Sequence, residues 1–290
     1  MADKAQQTIV VDGLALAQDI RKELATEVSQ YVSKGQRAPC LAVVLVGDDP
    51  ASASYIKGKQ RACSRVGMEA IERLLPATAS EQEVLRVVDE LNRNDAVDGI
   101  LVQLPLPDSV SAHTVAAAID PEKDVDALHP TTAGRLLLGE PVSLAACTPL
   151  GIMEILKHYE IAMKGANAVV IGRSNIVGKP ISLMLQREHA TVTMCHSRTR
   201  DLQGVCRQAD ILVAAVGVPR LVKSDWIKPG AAVIDVGVSN IDGVLVGDVD
   251  TEGAVGVAAL VTPHRRGVGP MTITMLLRNT LAAYRARTGA

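Results

Sequence analysis

The stretch Val169–Pro180, VVIGRSNIVGKP, decides how the rest of the chain is read. An apolar run ends at Gly172, a polar turn follows, and Gly178-Lys179-Pro180 opens the next segment. The order strand, glycine-rich loop, helix is the setting in which backbone N–H groups and the positive end of a helix hold phosphate. A Walker A loop has four residues between its first Gly and Gly-Lys, followed by Ser or Thr. Here five residues intervene and Pro180 follows Lys179. The dinucleotide fingerprint G-x-G-x-x-G also fails, because Gly172 is followed by Arg173, Ser174 and Asn175. Taken alone, the loop is only modest evidence, and a glycine turn with a purely structural role is the lesser alternative.

The residues at the end of the next strand sharpen the reading. NAD sites commonly place Asp or Glu about 20 residues further on, to hold the ribose 2′-hydroxyl. The run ATVTMCH ends instead in His196-Ser197-Arg198, with no acid. A cation and hydroxyls suit a 2′-phosphate, and Arg173 offers a second clamp, so the expected cofactor is NADP. The competing reading makes Arg173 and Arg198 ordinary solvated charges.

Working outward, the C-terminal half repeats one rhythm: NAVVIG, a helix from Gly178, ATVTMCH, a helix near 202–209, DILVAAVG and AAVIDVGVS. The N-terminal half alternates likewise. A helix is expected over 14–35, a doubly buried strand in CLAVVLVGDD, a helix over 52–66, another over 81–92, and a strand in VDGILVQLPLP stopped by Pro105 and Pro107. This alternation predicts an α/β fold of two domains with parallel strands and right-handed crossovers. The expected division is 1–145 and 146–270, with a last helix near 272–287 able to pack back on the first part.

Composition narrows the function classes. Of 290 residues, 48% are hydrophobic and 21% charged, which is enough for a sizeable core. The net charge of −2 gives no electrostatic case for nucleic acid or an anionic membrane. Without Phe, and with one Trp and four Tyr, an aromatic platform for single strands is not expected. The start MADKAQQTIVVDG has no apolar signal region, and no apolar run is long enough to span a bilayer. The five scattered cysteines lack C-x-x-C spacing, which fits free thiols in a reducing cytoplasm and no zinc site.

Three places in the first half offer chemistry. Tyr55 and Lys59 are spaced i, i+4, so a helix sets a lysine beside an aromatic ring, although most helical lysines are simply solvated. Gln103 interrupts an apolar strand near its C-terminal end, where ligands of open α/β sheets bind, or where a lip merely faces water. Asp124 and Asp126 lie in the loop PEKDVDALHP, and could divide acid and base roles or cap a turn.

Eight motifs in register carry a resemblance: Tyr55-x-x-x-Lys59, VQLPLP around Gln103, PEKDVD through Asp126, CTPLG from Cys147, VVIGRSNIVGKP, CHSRT from Cys195, GDVD from Gly247 and GVGPMT from Gly267. Over nearly its whole length the chain resembles the bacterial bifunctional methylenetetrahydrofolate dehydrogenase/methenyltetrahydrofolate cyclohydrolases. The resemblance implies a folate-binding catalytic domain joined to a Rossmann-like NADP domain, a cleft between them, and a homodimer formed through the NADP domains. It implies NADP-dependent oxidation of 5,10-methylenetetrahydrofolate, then hydrolysis of the 5,10-methenyl cation to 10-formyltetrahydrofolate. Lys59 would be the key catalytic group, tuned by Gln103, with Tyr55 stacked on the folate and Asp126 bonded to the pterin. Leu104, Gly267 and Pro270 would join them around the substrate. Gly172, Arg173, Ser174, Ile176, Val177, Gly178, His196, Ser197, Gly217 and Val238 would line the cofactor, with Arg173 and Ser197 on its 2′-phosphate. No metal is implied.

The chain departs from the family pattern at three places. Ala127 replaces the Gly of D-V-D-G, which costs roughly 1 kcal/mol if the position needs positive φ. Ala146 replaces a Pro. His264-Arg265-Arg266 replaces Val-Pro-Gly before GVGPMT, where two arginines could clash with folate, could meet its glutamate tail, or could record a compensated frame error. Loss of one activity, or binding without turnover, is the alternative these departures raise.

Overall fold

The computed structural model describes residues 7–47 and 50–289, the side chains of residues 50–56 excepted. In chain order the elements begin with β1 (Ile9–Val10), α1 (Gly13–Ser33), β2 (Cys40–Val46), α2 (Pro50–Arg65) and β3 (Glu69–Leu75). Then come α3 (Glu81–Arg93), β4 (Gly99–Val102), α4 (Ala112–Ala118), α5 (Pro130–Leu138) and α6 (Cys147–His158). The next are β5 (Asn167–Ile171), α7 (Gly178–Arg187), β6 (Thr191–Cys195), α8 (Leu202–Cys206), β7 (Ile211–Ala214) and β8 (Ala232–Asp235). The chain closes with β9 (Ser239–Ile241), β10 (Val244–Val246), α9 (Thr251–Ala254), β11 (Leu260–Val261) and α10 (Val268–Thr288).

Two compact units result. One, here the three-stranded unit, comprises Gln18–Cys147 and Ile273–Ala290. Its sheet has the order β3-β2-β4, all parallel. Every residue of the central β2, CLAVVLV, is buried, the pattern of a strand covered on both faces. Helix α3 begins where it does because Ser80 and Glu83 form a capping box. Three of its residues, Val84, Val88 and Leu91, enter the core with Ile100 and Val115.

The six-stranded unit holds Met1–Ala17 and Thr148–Thr272. Its sheet order is β1-β11-β8-β7-β5-β6, parallel throughout, with β9 and β10 as a separate antiparallel pair. The short central strands β7 and β8 are wholly buried, and their side chains form the core with Val169, Ile171 and Val261.

Three expectations need correction. The N-terminus does not belong with the first domain, because Ile9 and Val10 pair with Leu260 and Val261 of the other sheet. Strand β3 was not anticipated. It is an edge strand, exposed along most of EAIERLL, so it lacks the apolar run that marks the buried strands. The last helix starts at Val268, one turn before residue 272. All five cysteines are free and buried. No helix among the described residues is long and apolar enough to cross a membrane.

Candidate active site

Strand β4 is prolonged past Val102 by Gln103, whose N–H donates to the Val44 carbonyl at 2.8 Å. This backbone bond fixes the direction of the side chain. Lys59 Nζ, on α2, donates to Gln103 Oε1 at 2.6 Å, and Gln103 Nε2 donates to the Leu104 carbonyl at 2.7 Å. Gln103 is therefore not a lip residue facing water, and Lys59 is not a solvated helix lysine. Both are half-buried. Tyr55 falls in the backbone of α2, but its side chain lies outside the described residues.

The loop after α4 is anchored at each step. Lys123, fully buried, donates Nζ to the carbonyls of Leu91 (3.2 Å), Asn92 (2.7 Å) and Asn94 (2.9 Å). It thereby caps the C-terminal end of α3, where carbonyls lack helical partners. Ile100 N–H donates to the Lys123 carbonyl at 2.7 Å, which lays the loop alongside β4. Asp124 accepts from the His129 N–H at 2.6 Å, so of the two acids it is the one that caps a turn. From the C-terminal helix, Asn279 Nδ2 donates to the carbonyls of Val125 and Ala145, both at 2.8 Å. Cys147 Sγ donates to the same Val125 carbonyl at 3.2 Å.

Between these anchors stands Asp126. Burial pushes its carboxyl up, while Lys59 and a hydrogen bond with Cys147 pull it down. Burial is also the main influence on Lys59, lowering its pKa below the usual lysine value, with Asp126, Cys147 and Cys63 opposing. Asp124 is pushed up to about 7, chiefly by burial, against the pull of the His129 N–H. A lysine whose pKa burial lowers gives up its proton more readily than a solvated one, which suits it to proton transfer.

Ala127 has φ +55°, so the position is one that glycine normally fills. Arg266 is the second case, with φ +62°. Its carbonyl accepts from the Leu14 N–H at 3.0 Å and its guanidinium pairs with Asp12 at 2.7 Å. Arg265 is exposed. Gly267 and Pro270, at the start of α10, belong to the six-stranded unit, whereas Lys59, Gln103, Leu104 and Asp126 share the three-stranded one.

The phosphate-loop candidate lies at the C-terminal end of β5. Gly172 has φ +124°, and a Cβ on it would overlap the Ala215 carbonyl; one on Gly178 would overlap Gly172 itself. The loop is thus closed on itself at two glycines that no other residue can replace. Ser174 Oγ accepts from the N–H groups of Val177 (3.1 Å) and Gly178 (3.3 Å), a cap for α7. Arg173, Ser174 and Ile176 are exposed, Val177 and Gly178 buried. Among the described residues Arg173 has no ion-pair partner, while Lys179 is engaged by Asn175 at 2.7 Å.

Gly172 N–H donates to the Cys195 carbonyl at 2.9 Å, so His196 and Ser197 follow directly beside the loop. His196 Nδ1 accepts from the Arg198 N–H at 3.1 Å, and Ser197 is exposed. Gly217, with φ +67°, and the exposed Val238 lie beyond β7 and β8. A glycine loop, a helix start and an unpaired cation next to an acid-free strand end fit a 2′-phosphorylated dinucleotide. Nothing in the sequence assigns a site role to Lys123, Cys147 or Asn279, because each acts on a segment 22 to 154 residues away.

Comparison with known proteins agrees with this geometry. Residues 11–126 match the model of the tetrahydrofolate dehydrogenase/cyclohydrolase catalytic domain, and residues 146–288 that of its NAD(P)-binding domain. A bifunctional protein FolD of Desulfovibrio desulfuricans is 51% identical, over 97% of this chain and 99% of its own. The bifunctional enzyme FolD from Campylobacter jejuni superposes with a TM-score of 0.94 at 44% identity, covering 97% and 99% of the two chains. The Trypanosoma brucei methylenetetrahydrofolate dehydrogenase-cyclohydrolase, solved with NADP cofactor and inhibitor, gives 0.93 at 38%, covering 98% and 99%. The chain belongs to the tetrahydrofolate dehydrogenase/cyclohydrolase family.

Proposed function

We propose that Lys59 is the proton carrier of a bifunctional dehydrogenase and cyclohydrolase, and the observation that carries the assignment is its 2.6 Å bond to Gln103 within a half-buried cluster. The enzyme oxidises 5,10-methylenetetrahydrofolate to the 5,10-methenyl cation and hydrolyses that cation to 10-formyltetrahydrofolate. NADP+, when bound, supplies the hydride acceptor.

Each residue then has a task. Asp126 accepts N–H groups of the pterin edge, which fixes the reacting carbon in place. Tyr55 stacks on the folate, and Leu104 lies with it in the three-stranded unit. In the hydrolytic step water adds to the methenyl carbon and neutral Lys59 takes its proton; collapse of the carbinolamine then breaks the carbon–N5 bond, and the proton returns to N5. Gln103 holds the amine by its Oε1 and is itself held through Leu104, so the amine keeps one position. Arg173 and Ser197 receive the 2′-phosphate, with Gly172, Ser174, Ile176, Val177, Gly178, His196, Gly217 and Val238 along the cofactor. A homodimer joined through the six-stranded units and a cytoplasmic location belong to the same proposal, and both rest on the family resemblance.

The test is an assay at two wavelengths, following NADPH and methenyl-folate separately. Both signals should pass through the wild-type enzyme. Lys59→Ala should abolish methenyl consumption, and retention of full cyclohydrolase activity would remove Lys59 from its role.

A further inference from the structure

Outside the Lys59 cluster, Asp235 and Asp248 are two buried carboxylates without a part in the proposed reaction. Asp235 ends β8 and Asp248 follows β10, with 2% and 0% of their surface exposed. Asp235 Oδ1 accepts from the N–H groups of Gly237 (3.1 Å) and Asp248 (2.9 Å), and its Oδ2 from that of Val249 (3.1 Å). Asp248 Oδ2 accepts from the N–H groups of Val216 (2.6 Å) and Gly217 (3.0 Å). Two acids thereby gather the segments that follow β7, β8 and β10, at the C-terminal edge of a parallel sheet.

The arrangement is more costly than a fold requires. Asp248 Oδ1 is buried with no hydrogen-bond partner among the described residues. A buried acceptor left unpaired is unfavourable, and here it lies near a second buried acid. Burial, with the charge of Asp248 among the lesser causes, pushes the Asp235 carboxyl up to about 7. Room for the Asp248 carboxylate comes from Gly237, where any Cβ would overlap it. Gly237 does not have a left-handed φ, so glycine serves there for space alone.

The sheet order says what this cluster faces. The phosphate loop follows β5, and Ser197 follows β6 beside it. With the pyrophosphate over β5 and the 2′-phosphate over β6, the other half of the dinucleotide must extend over the ends of β7 and β8. Those ends carry Gly217 and Gly237, the backbone that the two acids hold. Ser239 Oγ, donating to the Gly217 carbonyl at 3.3 Å, ties the same two segments together.

We propose that Asp248 is a positioning residue for the nicotinamide half of NADP, acting by clamping the Val216–Gly217 backbone against the Gly237 segment. The proposal rests on reading the Gly172–Gly178 loop as the pyrophosphate site. Asp248→Ala removes the acceptor for both N–H groups. Asp248→Asn retains a carbonyl oxygen that can take them. Gly237→Ala displaces the carboxylate without touching it chemically.

The experiment is calorimetric titration of the full-length variants with NADP+ and with 2′,5′-ADP, which lacks the nicotinamide half. Asp248→Ala and Gly237→Ala should each weaken NADP+ about ten-fold, leave 2′,5′-ADP within about two-fold, and Asp248→Asn should restore NADP+ binding. Equal weakening of both ligands, or unchanged NADP+ affinity in the Ala variants, would overturn the clamp while leaving the phosphate loop intact. Should Asp248→Ala not fold, Gly237→Ala carries the same comparison. A wild-type protein binding neither ligand would overturn the loop reading and this proposal with it.

Discussion

Lys59 Nζ lies 2.6 Å from Gln103 Oε1, to which it donates. The amide oxygen accepts from ammonium or amine without adding charge, so burial still holds the lysine pKa below its usual value. Replacing Gln103 by Glu puts a carboxylate at that distance and favours the ammonium form. The pH at which cyclohydrolase activity rises should therefore move upward in Gln103→Glu, with activity at pH 7 down by roughly ten-fold or more. A pH–rate profile of the two proteins checks it.

Arg173 is exposed and without an ion-pair partner among the described residues, next to the strand end that carries Ser197. Arg173→Ala should raise the KM for NADP+ by about 10- to 100-fold, the worth of a charge-assisted bond, and leave that for NAD+ nearly unchanged. Steady-state kinetics with both nucleotides measure the ratio. An unchanged preference would take the clamp away from Arg173.

Ala127 adopts φ +55°, in the left-handed region that favours glycine. Ala127→Gly should stabilise the protein by about 1 kcal/mol, less the entropy glycine adds to the unfolded chain. Arg266→Gly, at φ +62°, relieves the same strain but gives up a solvent-exposed pair with Asp12, which is worth little. Both variants should therefore melt at higher temperature than wild type in a thermal scan.

Asp124 has a carboxyl raised to about 7 in the folded chain and is buried, so the folded state holds its proton more tightly than the unfolded one. Its contribution to stability is fully present below pH 4 and is lost as pH rises through about 7. Asp124→Asn keeps an oxygen for the His129 N–H and never ionises. The stability difference between Asp124→Asn and wild type should grow in favour of the variant from pH 4 to pH 8. The difference reaches on the order of a few kcal/mol, since one unit is about 1.4 kcal/mol. Denaturant midpoints across that range test it, and a flat difference would mean Asp124 stays ionised throughout.

Removing Asn279 probes the C-terminal helix. Asn279→Ala leaves the buried carbonyls of Val125 and Ala145 short of a donor, at a cost of roughly 1–3 kcal/mol. Because Val125 adjoins Asp126, the KM for folate should rise while that for NADP+ holds. A rise in both would place the effect on the fold as a whole.

Much of the architecture was legible before any coordinates. Buried strands such as CLAVVLV announce themselves because parallel sheets covered on both faces need unbroken apolar runs. The start of α7 at Gly178 and the glycine loop before it follow from a few adjacent residues. Ala127 and Arg266 were marked by what they replace, and both prove to lie at positive φ. Edge strand β3 and the two-residue β1 escaped notice, since neither has a local pattern distinct from a loop.

The sequence by itself determined most of the helices, the buried strands and the glycine loop before α7, because helix, strand and turn depend on neighbours a few positions apart. Only the tertiary structure decided which of them act together. Lys59 meets Gln103 across 44 residues, Asn279 reaches Val125 across 154, and Asp248 holds Val216 across 32. Those pairings come from burial: groups taken out of water must find partners wherever packing brings them, and chain distance does not enter that requirement.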